Sequence, residues 1–229
     1  MLKFAIQTNI PLIKMLNTKV KASSITNLTD ARYFAAWEVE WLGFTLEVGN
    51  EFSVSSHLVN AIKAWVDGVK IVGEFGLATP SEIKIAAESM NLDAVQVGMF
   101  TSLNEVKALK GIPILKEIIV DRHTSKDSLE EILDAFEPYS EAFILNFDKN
   151  QINFDQVEKE EILSISALQA LCKTYPIILS MNFNSNILVE ILEKMNPLGI
   201  NIRGGEEEKV GFKSFDELDE IFEAIEILV

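Results

Sequence analysis

What this chain lacks narrows its function first. It has a single cysteine, Cys172, so no internal disulfide can staple it, and a reducing cytoplasm is the expected setting. It has two histidines, His57 and His123, and no cysteine pair. Even with Glu47, Glu74 and Glu117 available, that is too sparse a ligand set for a catalytic transition metal, and no cofactor is expected. No apolar run approaches the roughly 20 residues of a membrane span. The opening Met1-Leu2-Lys3-Phe4-Ala5-Ile6 is broken by Gln7, Thr8 and Asn9, too short for an export segment, and reads as an added strand or helix. Basic residues are also scarce: 20 against 35 acidic ones leave a net charge of −15. Such a surface repels nucleic acid and anionic membranes, yet a few oriented amides or one arginine can still hold a small anion.

What is present is alternation. Short strand-like runs recur at 20–24, 41–46, 69–75, 94–97, 114–120, 142–146, 177–181 and 199–202, with helical periodicity between them. Thr79-Pro80-Ser81-Glu82 is a capping box with proline at the first helical position, ahead of Ile83, Ala86, Ala87 and Met90. Ser214-Phe215-Asp216-Glu217 repeats the pattern, and Asp127 is expected to cap the helix that holds Leu129, Ile132, Leu133 and Phe136. The polar stretch 146–161 lacks periodicity and reads as a loop.

Eight strands, each followed by a helix, predict an α/β fold of the (β/α)8 TIM barrel type, a closed parallel sheet. Residues 20–229 form the barrel domain and 1–19 a short N-terminal extension. An open doubly wound sheet is the alternative, but a nucleotide-binding version needs a glycine-rich turn after its first strand, and Ser23-Ser24-Ile25-Thr26 has none. Trp37, Trp41 and Trp65 are assigned to packing rather than to a stacking platform.

Barrels of this kind carry chemistry at the carboxyl ends of their strands. The polar residues found there are Ser23, Glu47, Glu74, Gln96, Asp121, Arg122, His123, Asn146, Asp148, Asn182 and Arg203. His123 beside Asp121 is a candidate acid or base pair.

The stretch Lys21-Ala22-Ser23-Ser24-Ile25-Thr26, followed by Leu42-Gly43-Phe44, Val72-Gly73-Glu74-Phe75, Asp93-Ala94-Val95-Gln96-Val97 and Gly211-Phe212-Lys213, resembles the phosphoribosylanthranilate isomerase family in order and spacing. The resemblance implies a TIM barrel, ancestry in tryptophan biosynthesis and an Amadori isomerisation, in which a general acid opens a ribose ring and a general base removes a carbon-bound proton. The family's Lys-x-Cys-Gly-Ile-Thr places its cysteine base at Ser23, and its aspartic acid falls on Asn146 with Asp148 as a stand-in. An alcohol and a carboxamide do not exchange protons near neutral pH as a thiol and a carboxyl do.

The family's substrate-holding arginine corresponds to Phe52, and its glycine pair after the seventh strand to Met181-Asn182. Of the phosphate cradle, Asn182, Arg203, Gly204 and Gly205 are the positions left to bind substrate or phosphate, with Glu206, Glu207 and Glu208 directly after them. Either Arg203 serves an anion or it pairs with those glutamates. The sequence thus implies an isomerase-like barrel impaired in the ancestral reaction. Retained activity with altered groups, a different small phosphorylated or anionic metabolite as ligand, and a non-catalytic scaffold stay open. The sequence carries no signal for an oligomeric state.

Overall fold

The computed structural model describes residues 14–204, 207–209 and 212–228. In chain order it contains β1 (Lys14–Leu16), β2 (Lys19–Ser23), α1 (Leu28–Ala36), β3 (Trp41–Thr45), α2 (Ser56–Lys63), β4 (Lys70–Phe75), α3 (Pro80–Met90) and β5 (Ala94–Val97). Then come α4 (Leu103–Ala108), β6 (Ile114–Ile119), α5 (Lys126–Phe136), β7 (Ala142–Asn146), α6 (Phe154–Glu158), α7 (Ile165–Thr174), β8 (Ile177–Ser180) and α8 (Ser185–Met195). The chain ends with β9 (Gly199–Arg203), β10 (Glu207–Lys209), β11 (Phe212–Lys213), α9 (Asp216–Ile225) and β12 (Glu226–Leu228).

Strands β2 to β9 close into one parallel barrel. The closing seam pairs Lys21 with Asn201 and Ser23 with Arg203, and this excludes the open doubly wound sheet. Beside the amino end of β2, β1 pairs antiparallel with β12, Lys14 opposite Leu228. The opening segment 1–6 lies outside the described residues.

Parity along the strands builds the interior. Trp41, Val72, Ala94, Leu115, Ile144 and Ile178 form one buried cluster inside the barrel, and alternate residues of a strand share a face. Two residues further on, the same face presents Glu74, Gln96, Glu117, Asn146 and Ser180 at the strand ends. The opposite parity packs against the helices, where Phe44, Phe143, Leu145 and Leu179 belong to the large outer core.

Around the closing seam, α1 meets α9 through rings. Trp37 stacks on Phe222 with centroids 5.0 Å apart, and Tyr33 stacks on Phe215 at 4.0 Å. Each such pair contributes about 0.5–1.5 kcal/mol beyond its buried area. Tyr33 also donates to Asp219 Oδ1 at 2.7 Å, which together with burial pushes its own phenol far up.

Several local expectations need correction. The Thr79 box forms as read, with Glu82 returning to the cap. However, α5 is capped by Ser125, in a box with Ser128, and not by Asp127. Ahead of α9 the box does not form: Phe215 is the cap residue and makes no side-chain bond, while Ser214 Oγ accepts only from Asp216 N. The stretch 146–161 is not a plain loop. It holds a 3-10 turn, Asp148–Asn150, and α6, capped by Asn153 with Gln156. Trp65 is 69% exposed and packs into no core.

Candidate active site

The carboxyl ends of the strands enclose a cavity of about 490 Å³ lined by Ser23, Thr45, Glu74, Gln96, Glu117, Asn146, Lys149, Ser180, Asn201 and Arg203, with residues 49–52 at its edge. The mouth is open. Phe52 stands at its rim, whereas Met181 is buried in the outer core and lines a neighbouring pocket.

The deepest polar group is Lys21, which is 0% exposed. Its ammonium donates to Glu74 Oε1 at 2.5 Å and to Ser23 Oγ at 2.7 Å. A charge at this depth persists only because it is paired, and unpairing one partner of such a bridge costs about 3–5 kcal/mol. Burial alone would raise the Glu74 pKa, but the Lys21 charge, its hydrogen bond and those of Ser23 and Thr45 outweigh it, so the carboxyl is held below its ordinary value. Thr45 Oγ1 donates to Glu74 Oε2 at 3.1 Å.

Room for this pair comes from Gly43. A Cβ there would stand 2.1 Å from Glu74 Oε1 and 2.8 Å from Lys21 Nζ. Ser24 turns the chain out of β2 with φ +55°, a left-handed conformation that favours glycine. Glycine is the residue in the motif that this segment resembles. The serine keeps the turn and donates its amide to Glu74 Oε2 at 3.2 Å.

Ser23, expected at the base position, is held on both sides. It receives the Lys21 ammonium and donates to Asn201 Oδ1 at 2.5 Å. Asn201 in turn donates to Ser180 Oγ at 3.0 Å, and Ser180 donates to Asp148 Oδ2 at 3.1 Å. Asn146, expected at the acid position, donates to Glu117 Oε1 at 2.7 Å and accepts the Lys149 amide at 3.1 Å. The Lys149 ammonium is 3.4 Å from Glu117 Oε2.

Asp148 is half-buried on the 3-10 turn after β7. Burial raises its pKa, opposed by the Ser180 hydrogen bond and the Arg203 charge, with a net upward shift. It lines an adjoining pocket of about 710 Å³ together with Asn182, Arg203, Gly204, Asp216 and Glu217. Of the positions expected to hold phosphate, Asn182, Arg203 and Gly204 therefore gather there, while Gly205 lies outside the described residues, as does Glu206. The first turn of α9 faces this pocket with Asp216 and Glu217, where a helix amino terminus would otherwise favour an anion. Arg203 lines both cavities, and its guanidinium lies 5.8 Å from the centre of the Phe52 ring.

Other strand-end residues have structural duties. Glu47 accepts from the amides of Gly76 and Leu77 at 3.1 and 2.7 Å and braces two rim loops together. Asp121 accepts from the His123 amide and from Thr124 within an exposed turn, so the His123 pair does not reach the cavity lining. No group of three or more His, Cys, Asp or Glu suited to a metal occurs among the described residues. None of their helices is long and apolar enough to cross a membrane.

Reading polar strand ends one by one missed Lys21, Thr45, Ser180, Asn201 and the link from Glu117 to Asn146. The signal was available in parity: each lies on the same strand face as Ser23 or Asn146, or pairs with one that does.

No protein-family model matches the chain. It is similar to the curated N-(5'-phosphoribosyl)anthranilate isomerase of Maridesulfovibrio salexigens, 22% identical over 206 residues that cover 90% of this chain and 97% of the relative. Its similarity to the enzyme of Chlorobium chlorochromatii is 26% over 202 residues, 86% and 92% of the two chains. Among solved structures, phosphoribosyl anthranilate isomerase from Thermotoga maritima superposes with a TM-score of 0.73 at 19% identity, covering 91% of this chain and 98% of that one. The enzyme from Thermus thermophilus gives 0.70 at 22%, covering 90% and 98%. A third isomerase structure, in complex with reduced 1-(o-carboxyphenylamino)-1-deoxyribulose 5-phosphate, gives 0.71 at 20%, covering 91% and 98%. At such identities the superpositions show the fold, and the curated sequence relatives, matched over nearly their whole length, add the lineage. The ordered motifs, the closed barrel and these relatives together support a divergent relationship of the chain to the phosphoribosylanthranilate isomerase family.

Proposed function

We propose that this protein is an isomerase-like barrel of tryptophan-pathway ancestry whose mouth binds a small molecule but no longer supports efficient Amadori isomerisation. One observation carries the reading: the Ser23 hydroxyl gives its proton to the amide oxygen of Asn201 and receives one from the Lys21 ammonium. Neither neighbour can take a proton from it, so the alcohol is never activated as a base. Asn146 supports the same conclusion, since an amide bonded to Glu117 has no proton to deliver as a carboxylic acid would.

Asp148 favours a second reading, retained activity with altered groups, because its raised pKa suits a general acid. It supplies only half of the required pair. The test is steady-state turnover of phosphoribosylanthranilate by the purified chain, alongside growth of a tryptophan auxotroph that lacks the isomerase. The expected result is no growth and turnover at least about 10²-fold below an ordinary family member, the lower bound of an acid–base contribution. Growth with a comparable rate would refute the proposal.

A further inference from the structure

Resting on the reading that the mouth is a small-molecule site, we propose that its ligand is a polyhydroxylated monocarboxylate, a sugar acid without phosphate. The charges set the limit on ligand charge. Lys21 is committed to Glu74. Among the described residues, the two cations that line the cavity are Lys149, whose 3.4 Å contact with Glu117 is long, and Arg203, whose guanidinium lies 5.8 Å from the centre of the Phe52 ring. They stand at the ends of β7 and β9, on either side of β8. A guanidinium pairs bidentately with a carboxylate through its planar N–H fork.

A phosphate dianion would meet opposition at the same place. Asp148 acts electrostatically on Arg203, and Asp216 and Glu217 line the adjoining pocket that Arg203 shares. With Lys149 facing Glu117, Arg203 is left to match one negative charge, and a second falls towards the three carboxylates of the adjoining pocket.

The rest of the ligand is set by acceptors. Gln96 lines the cavity, and a carboxamide there can exchange hydrogen bonds with a ligand hydroxyl. Glu117 Oε2, held only by the long Lys149 contact, takes a second hydroxyl. The cavity of about 490 Å³ lies in the range that holds metabolites of this size.

The experiment titrates the full chain with gluconate, ribose 5-phosphate, xylitol and acetate, by calorimetry and thermal shift, and repeats gluconate with Arg203→Met and Gln96→Met. Gluconate is expected to bind and raise Tm, and xylitol and acetate, each lacking half of the recognition, to bind at least about tenfold more weakly. Arg203→Met weakens gluconate by about tenfold or more and Gln96→Met by severalfold, neither lowering Tm in the absence of ligand. Gluconate that does not bind at millimolar concentration, or affinity indifferent to both substitutions, overturns the proposal. So does ribose 5-phosphate binding as tightly as gluconate. If that tight binding comes with isomerase turnover, the proposed function falls too. Silence towards gluconate with no turnover removes only the sugar acid.

Discussion

The two sides of the barrel mouth have diverged in opposite ways. On the side of β2, β3 and β4, the chain keeps a densely bonded pole in which Lys21, Glu74, Thr45, Ser24 and Ser23 satisfy one another. At the position the resemblance assigns to the base, an alcohol stands for a thiol. On the side of β8, β9 and α9, Asp216 and Glu217 line the pocket that Asn182, Arg203 and Gly204 share, with the Arg203 guanidinium 5.8 Å from the centre of the Phe52 ring. A buried ion pair resists change because removing either partner strands the other. A solvent-facing helix terminus carries no such penalty and drifts freely in charge.

Substitutions on the two poles should therefore differ in size and in kind. The largest effect is expected from Lys21→Met, which leaves Glu74 unpaired inside the barrel: a loss of about 3–5 kcal/mol in urea unfolding at pH 7. The sign follows from the carboxyl. In the native chain its depressed pKa contributes stability above the ordinary value of 4.5 that disappears as pH falls through the folded value. In the variant that contribution is already gone, so the deficit should narrow below pH 4.5. A variant as stable as the parent would erase the distinction between the poles.

Next in size, the double variant Ser23→Cys with Asn146→Asp restores a thiol beside the Lys21 ammonium, which favours the thiolate. It should raise turnover of phosphoribosylanthranilate by about 10²-fold or more, acting on kcat. A smaller effect is expected from Asp216→Ser with Glu217→Ser in that restored background. Removing two carboxylates relieves like-charge repulsion of the substrate phosphate, so KM should fall severalfold with kcat unchanged. If instead the first pair moved KM and the second kcat, the assignment of proton transfer to Ser23 and Asn146 and of phosphate to the α9 end would be reversed. The smallest effect is Ser24→Gly, which relieves a left-handed φ of +55° while keeping the backbone bond to Glu74. A gain of up to about 1 kcal/mol in thermal or chemical unfolding is expected.

Legibility followed the range of the interactions. The barrel strands and the Thr79 cap are written in adjacent residues, because alternation and capping are local. α6 escaped notice because five residues complete no periodic pattern, although Asn153 and Gln156 form a capping box. Ser125 took the cap expected of Asp127 by pairing with Ser128. Trp65 is exposed because α2 ends at Lys63, so the ring falls in the turn beyond the helix and outside its buried stripe.

By itself the sequence determined that the chain alternates strand and helix into a barrel, and that an alcohol and an amide stand at the positions its resemblance assigns to base and acid. Both are properties of neighbouring residues. Only the tertiary structure decided that Lys21 meets Glu74, 53 residues away, in space left open by Gly43, and that Ser23 is closed off by Asn201, 178 residues away. In a closed parallel barrel the partners across the mouth come from strands distant in sequence, so their contacts exist only once the sheet has closed.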